Sequence, residues 1–298
     1  LGGGCFSNMD VGTETPVATT DSFPAPPSAR RTPSWPQRVR TDYAELTRFW
    51  PVVQNMVMQE LHVRYQRSFM GFMWTLINPL LMMVTLSLVF SNLFDTRGSG
   101  ERYSLFILAG MVPWTFMAGS LSEATACIVA NEVLIRKIYI PKLVFPLVRV
   151  LINLVTTTLS MGALFILLVP LGARPCLPML LLPLAMLLFF AFTLGLSLLV
   201  ATTNTFFRDC AHLVSVFLQA WYFATPIIYR LEFFEESARW RFWLNPAFYY
   251  IEIFHDVLCD GRWPQLSIVI IAAALATVSL GVGYATFKSN EDKMVFRL

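Results

Sequence analysis

Three carboxylates, Glu252, Asp256 and Asp260, fall at i, i+4 and i+8, which is one face of a helix. Carboxylates in a D-x-x-x-D spacing can hold a Mg²⁺-diphosphate in membrane prenyltransferases. Here there is one such stripe rather than two, so a solvated or gate-lining face is the expectation. Other reactive chemistry is sparse. The three histidines, His62, His212 and His255, are scattered, and the chain has no H-E-x-x-H motif and no Ser/His/Asp pattern. The five cysteines, Cys5, Cys127, Cys176, Cys210 and Cys259, are far apart without a C-x-x-C, and they fit neither a disulfide framework nor a zinc site. The nearest text to a phosphate-binding loop, GVGYATFKS at 281–289, lacks the glycine before Lys288. The chain is therefore not expected to bind ATP by a P-loop, and it has no expected catalytic residue, metal or cofactor of its own.

The elements that would carry any function are apolar helices. Hydrophobic residues make up 56% of the 298 residues and charged residues 14%, with a mean hydropathy of +0.58. A soluble domain is excluded on that balance. Charged residues delimit six long uncharged runs, at 68–94, 103–122, 150–173, 175–207, 210–229 and 263–287. Each is long enough for a spanning helix, which needs about 20 mostly apolar residues. The expected fold is an all-α membrane protein with six transmembrane helices. An interfacial amphipathic helix at 42–67 precedes them, with Pro51 in its first turn. Residues 1–41, rich in Pro, Ser and Thr, read as a disordered cytoplasmic tail. Residues 68–287 form the transmembrane domain, and 288–298 a cytoplasmic carboxyl-terminal tail.

Orientation follows from the basic residues. With both termini inside, the inner segments hold 15 of the 22 Lys and Arg, including all four Lys. A cytoplasmic (inner) membrane location with both termini cytoplasmic is expected. The longest outer segment, 230–262, is crowded with Phe233, Phe234, Trp240, Phe242, Trp243, Phe248, Tyr249, Tyr250 and Phe254. Such residues favour the membrane interface, and the segment reads as two short helices re-entering the outer leaflet. Asn245-Pro246 reads as an N-cap followed by proline at the first helical position. Asn78-Pro79 and Pro113-Trp114 read as breaks in the first two spans.

One inner segment stands apart. Residues 131–149, NEVLIRKIYIPKLVFPLVR, carry Arg136, Lys137, Lys142 and Arg149 between apolar flanks, and are broken by Pro141 and Pro146. Arg64 and Arg67 sit at the membrane surface before the first span, placed to capture an anionic headgroup. The spans lack the midplane ionisable groups of an ion-coupled pump, so energy is expected to come through a partner. Arg208-Asp209 makes a very short inner turn that is rigid enough to dock one.

Several separated stretches resemble the membrane permeases of polysaccharide-exporting ABC transporters. They are QELHVRYQRSFMGFMWTLINPLLMM (59–83), LFILAGMVPWTFMAGSL (105–121), NEVLIRKIYIPKLVFPL (131–147), RDCAHLVSVFLQAWYFATPIIY (208–229) and LNPAFYYIEIF (244–254). The resemblance implies a transport subunit rather than an enzyme. It would form a homodimer and bind two copies of a separate ABC ATPase that holds the ATP and Mg, and it would move a lipid-linked glycan of the O-antigen, capsule or teichoic acid type. It maps ATPase coupling onto 131–147 and 207–211, including Glu132, Ile135, Arg136, Lys137, Arg208 and Asp209. It maps the outer gate onto about 232–258, with Asn245 and Pro246, while Pro141 and Pro146 would hinge the inner segment. Arg64, Arg67 and Lys142 are the expected headgroup-binding residues. The rivals are an ABC permease for small hydrophobic molecules and, in a different class, a membrane prenyl- or glycosyltransferase.

Overall fold

The computed structural model describes residues 35–66, 99–168, 177–231 and 235–295, Arg297, and isolated positions within 67–98. The chain divides into two compact units, residues 1–44 and 45–298. The described part of the first unit is the start of α1 (Trp35–Arg48). Residues 35–41, expected in the tail, are therefore helical, and the Thr41 hydroxyl bonds back to the Gln37 carbonyl at 2.9 Å.

In the second unit α2 (Trp50–Gln66) begins with Pro51 in its first turn, where a missing N–H costs nothing. Val53 and Val57, one turn apart, bury against Val144, Val148 and Ile152. Met58 and Val63 stay exposed, so α2 carries apolar side chains on two faces rather than one.

Four helical stretches are long and apolar enough to cross a membrane: Leu105–Ala130, Val144–Gly162, Leu177–Phe206 and Leu266–Met294. They belong to α3 (Ser99–Ala130), α5 (Val144–Leu168), a 3₁₀ turn (Leu177–Leu181) with α6 (Leu182–Phe206), and α10 (Leu266–Val295). The expected span at 68–94 falls largely outside the described residues. The expected span at 210–229 contains α7 (Cys210–Ala224), which has 15 residues. The short helices are α4 (Glu132–Lys137), α8 (Glu236–Trp243) and α9 (Pro246–Leu258).

Two proline expectations are corrected. α3 runs unbroken through Pro113, because Val112, Trp114, Phe116 and Met117 around it are all buried and packing outweighs one lost backbone bond. The Thr115 hydroxyl also donates to the Val112 carbonyl at 2.8 Å. Pro146 does not break the chain: it lies inside the first turn of α5, which starts at Val144, ahead of the expected span, and the irregular backbone is confined to 138–143.

The tightest crossing is between α6 and α10. A Cβ added at Gly283 would collide with the Gly195 carbonyl, and one at Gly195 would collide with the Ser279 backbone. The Ser279 hydroxyl closes the crossing with a 2.9 Å bond to the Phe192 carbonyl. Small residues four apart, Ser279 and Gly283, let two helices meet backbone to backbone.

An aromatic core joins α3, α6 and α9. Phe189 stacks on Tyr250 at 4.8 Å and meets Phe116 edge-on at 5.7 Å. The Tyr250 hydroxyl donates to the Ala272 carbonyl of α10 at 2.7 Å. The aromatic segment expected at the membrane surface is thus split. Phe248, Tyr250 and Phe254 of α9 are core, while Trp240 and Trp243 of α8 are exposed. Phe233 and Phe234 lie outside the described residues.

Helix direction then fixes two ends. Cys127, Ile128, Leu143, Phe145, Ala201, Phe287 and Met294 form one buried cluster, so α4, the 207–209 turn and the end of α10 share an end. The start of α3, α8, α9 and the start of α10 share the other.

Candidate functional site

At the α4 end, charges tie α2 to two long helices. Arg64 donates to Glu123 of α3 at 3.0 Å, and Arg149 of α5 donates to Glu60 of α2 at 2.9 Å. Asn153 supports the pair. Its amide donates to the other Glu123 oxygen at 3.1 Å and to the Arg149 carbonyl at 3.0 Å. Asn153 packs closely on Gly119, where an added Cβ would stand 2.8 Å from its oxygen and push the side chain aside. Lys142 lies 3.9 Å from Glu291, which also holds Lys288 at 2.7 Å. Of the three expected headgroup residues, Arg64 and Lys142 therefore have acidic partners. Arg67 lies outside the described residues.

The coupling residues sort differently. α4 has no buried residue. Val133, Ile138 and Tyr139 show two-thirds, over half and three-quarters of their surface. Glu132 and Arg136 pair along the helix at 2.8 Å. Ile135 instead packs against the Cys127 cluster. After Lys137 the backbone is irregular to Leu143, and α5 begins at the next residue. Pro141 and Pro146 are both buried. Arg208 and Asp209 are exposed beside Phe207. Asp209 caps α7 without its side chain. Asn204 takes that role by accepting from the Ala211 N–H at 3.1 Å, which ties the turn to the end of α6.

At the opposite end Asn245 is the expected N-cap, with its Oδ1 accepting from the Ala247 N–H at 3.0 Å. The sequence did not show its other bonds. The Trp221 indole donates to it at 2.7 Å, and its amide donates to the Thr225 hydroxyl at 2.9 Å and the Ala224 carbonyl at 3.2 Å. One side chain thus fastens the start of α9 to the end of α7. The carboxylate stripe is not a solvated face. Asp256 is 2% exposed and accepts Arg262 Nη2 at 2.6 Å and Nε at 2.8 Å, while Asp260 lies 3.3 Å from the same guanidinium. Gly261 makes this possible. Its φ of 61° is the left-handed region that glycine enters at little cost, and it turns Arg262 back onto α9. Burial, helped by Asp256 and Asp260 and opposed by Arg262 and Arg230, lifts the Glu252 carboxyl from the usual 4.5 to about 7.

Between α5 and α6 runs an apolar groove of about 790 Å³, from Trp50 and Leu147 near the α4 end to Phe165 and Met179 near the other. Among the described residues no cluster of three or more His, Cys, Asp or Glu side chains could hold a metal.

Comparison with known proteins identifies the architecture. The ABC-2 type transporter family profile matches residues 51–259. The chain is 31% identical over 251 residues to an O-antigen export system permease protein RfbA of Myxococcus xanthus, covering 84% of this chain and 96% of that protein. It is 29% identical over 232 residues to an O-antigen export system permease protein RfbA of Klebsiella pneumoniae, covering 77% and 88%. It is also 20% identical over 249 residues to the polysialic acid transport protein KpsM of Escherichia coli, covering 82% and 95%. With exposed α4 at one end of a bundle of long apolar helices, and a profile spanning most of its length, the chain belongs to the ABC-2 type transporter family.

Proposed function

We propose that this chain is the permease subunit of an ABC exporter that moves a lipid-linked polysaccharide across the cytoplasmic membrane. It works as a homodimer of six-span protomers with two copies of a separate ATPase, and both termini are cytoplasmic. The observation that carries the reading is α4, a two-turn helix with no buried residue. It bears Val133 in a water-accessible position and is followed by exposed Ile138 and Tyr139. Apolar side chains on an exposed basic helix fit a protein partner better than solvent. The relatives named for O-antigen export and polysialic acid transport support the cargo class.

In this reading ATP-driven closure of the partner pushes on α4, and the push passes through Ile135 into the Cys127 cluster at the feet of α3, α6 and α10. The carrier lipid's diphosphate is drawn to Arg64, Arg67 and Lys142, with Arg64 and Lys142 giving up their acidic partners to bind it, and its tail lies in the groove between α5 and α6. Asn245 and Pro246 set the outer gate. The chain performs no covalent chemistry.

The test is reconstitution. The permease and its ATPase in proteoliposomes should translocate lipid-linked glycan only with ATP. Val133→Asp should abolish ATPase binding or coupling while leaving folding unchanged. Ile135→Asp is the poorer probe, since Ile135 also packs inward. Normal export by Val133→Asp would remove α4 from the interface.

A further inference from the structure

The apolar groove between α5 and α6 is open along its side, where Thr158, Gly162 and Leu187 are exposed. None of its described lining residues carries a charge. The Thr158 hydroxyl donates to the Leu154 carbonyl of its own helix at 2.8 Å. The groove therefore offers an occupant almost nothing but hydrocarbon, and open apolar surface of this extent marks a contact.

Three occupants can be compared. The first is the chain itself. Trp50 lines one end of the groove, and α2 runs away from it to Arg64, whose partner Glu123 belongs to α3. That run is about 21 Å, at roughly 1.5 Å per residue, so the residues after α2 start far from the groove. Met73, Leu81, Met82 and Val84, described positions among them, are exposed rather than packed into it. The second occupant is a helix of another copy. From Leu147 to Phe165 the groove follows α5 for about 27 Å. A volume of about 790 Å³ over that length leaves a section of about 30 Å², whereas a helix about 10 Å across needs about 80 Å².

The third is a lipid chain, and the section suits one extended hydrocarbon chain. Length then separates lipids. The hydrocarbon core of a bilayer is about 30 Å thick, so one leaflet is about 15 Å deep. A groove of about 27 Å is nearly twice that depth. An ordinary acyl chain fills about half of it, and a long single chain fills it all. The Trp50 end lies near α4, where basic residues gather. Arg48, two residues before Trp50, is exposed and has no acidic partner among the described residues.

We propose that this groove binds one single-chain lipid phosphate, with its chain reaching past the depth of one leaflet and its phosphate at Arg48. The proposal rests on the export reading for the source of that lipid, the carrier of the glycan, and it makes the groove selective. Diacyl lipids, with two shorter chains, are poor occupants. Gly162 supplies a way to plug the site. It lines the groove, and a Cβ there would meet nothing within 4 Å, so a larger side chain enters the groove without displacing a neighbour. Gly281 on α10 is equally open and lines no part of the groove.

Native mass spectrometry tests the proposal on the full chain released from nanodiscs of dioleoyl phosphatidylcholine, doped equally with undecaprenyl phosphate, farnesyl phosphate and dioleoyl phosphatidylglycerol. Undecaprenyl phosphate should stay bound, with the other two dopants retained severalfold less. Gly162→Phe should cut that retention at least about tenfold, the change made by excluding about two methylene groups from an apolar site, and Arg48→Gln should cut it severalfold. Gly281→Phe should leave it unchanged. Phosphatidylglycerol retained as well as undecaprenyl phosphate would give the groove to bulk lipid, and farnesyl phosphate retained as well would remove the role of length. Either result overturns the proposal, as does full retention in Gly162→Phe or Arg48→Gln, or an equal loss in Gly281→Phe. A dimer lost in Gly162→Phe with retention intact would hand the groove to a second copy instead. Running the ATP-driven export assay on the same preparation separates the two readings. Retention without export keeps the groove and sinks the exporter, whereas export without retention sinks only the groove.

Discussion

At the α4 end, Arg64–Glu123 and Arg149–Glu60 join α2 to α3 and α5 through side chains that are between 22% and 43% exposed. At the α9 end, Asp256 is 2% exposed under Arg262, and the helix that bears it sinks Phe248, Tyr250 and Phe254 into the core. Ion pairs open to solvent are weak and exchange readily. A carboxylate withdrawn from water must keep its partner. The first end is built to be rearranged, and the second to hold its shape around a small polar space. That asymmetry suits the proposed mechanism, in which the partner ATPase would push on the α4 end and the opposite end would serve as a fixed frame.

The largest expected effect tests the frame. Phe254→Ala, at a site with 0% exposure, should cost about 3–5 kcal/mol, as large aromatic deletions in cores do. Val133→Ala, on exposed α4, should stay within about 0.5 kcal/mol. Thermal unfolding in nanodiscs reads both. Similar shifts for the two would erase the contrast between the ends.

The next concerns pH. In the unfolded chain Glu252 loses its proton near the usual 4.5, whereas in the folded chain it does so only near about 7. Between those values the folded state binds more protons, so stability falls as pH rises. Arg230, Arg239, Arg262, Asp256, Asp260 and neutral His255 surround it, and burial holds His255 down at about 3, so it does not titrate in this window. The loss is at most roughly 3 kcal/mol, since each pH unit separating the two values is worth about 1.36 kcal/mol, and it is less where solvent reaches the carboxyl. The melting temperature should drop across this interval, and Glu252→Gln should flatten the drop. An unchanged slope in that variant would move the effect elsewhere.

A smaller effect tests the clasp. Removing Arg64 leaves Glu123 partly buried and dependent on the Asn153 amide, at an expected cost of about 1–2 kcal/mol. Removing both Arg64 and Glu123 should cost less than the sum of the two single changes. Additive losses would show that the pair is geometric only.

These contrasts were unevenly legible in the sequence. Long apolar runs announce spans by composition, so α3, α5, α6 and α10 were visible, and so was the Asn245-Pro246 cap, whose chemistry is local. Pro113 misled because a single proline is outvoted by a buried face, and burial is not a local property. The aromatic crowd at 230–262 misled for the same reason. Tyr250 and Trp243 have the same interfacial character, and only the direction in which each helix turns its face separates core from surface. The Arg64–Glu123 pair spans 59 positions, and no spacing rule reaches that far. Ser279-x-x-x-Gly283 was a readable signal for the α6–α10 crossing. So was Asp260-Gly261 for the turn that brings Arg262 home.

The smallest effect belongs to Lys142 and decides how the α4 end treats an anion. Its ammonium lies 3.9 Å from Glu291, at the outer limit of an ion pair, while Lys288 holds the same carboxylate at 2.7 Å. Glu291 is thus satisfied without Lys142, and Lys142 is held only loosely. A phosphate entering between α5 and the end of α10 competes with a carboxylate that already has a nearer cation. Glu291→Gln removes that competitor and leaves an amide that still accepts from Lys288. If Lys142 captures the carrier's diphosphate, the variant should lower the half-saturating concentration of lipid-linked glycan in the export assay. The gain should be small, because Lys288 already neutralises the carboxylate at 2.7 Å, although Lys142 and Glu291 are only 14% and 16% exposed. Lys142→Gln should raise the same concentration, and the double variant should match Lys142→Gln alone, because Glu291 acts only through Lys142. A gain from Glu291→Gln that survives in the double variant would assign the anion to Lys288, and no change in any of the three would make Lys142 a topological anchor and nothing more.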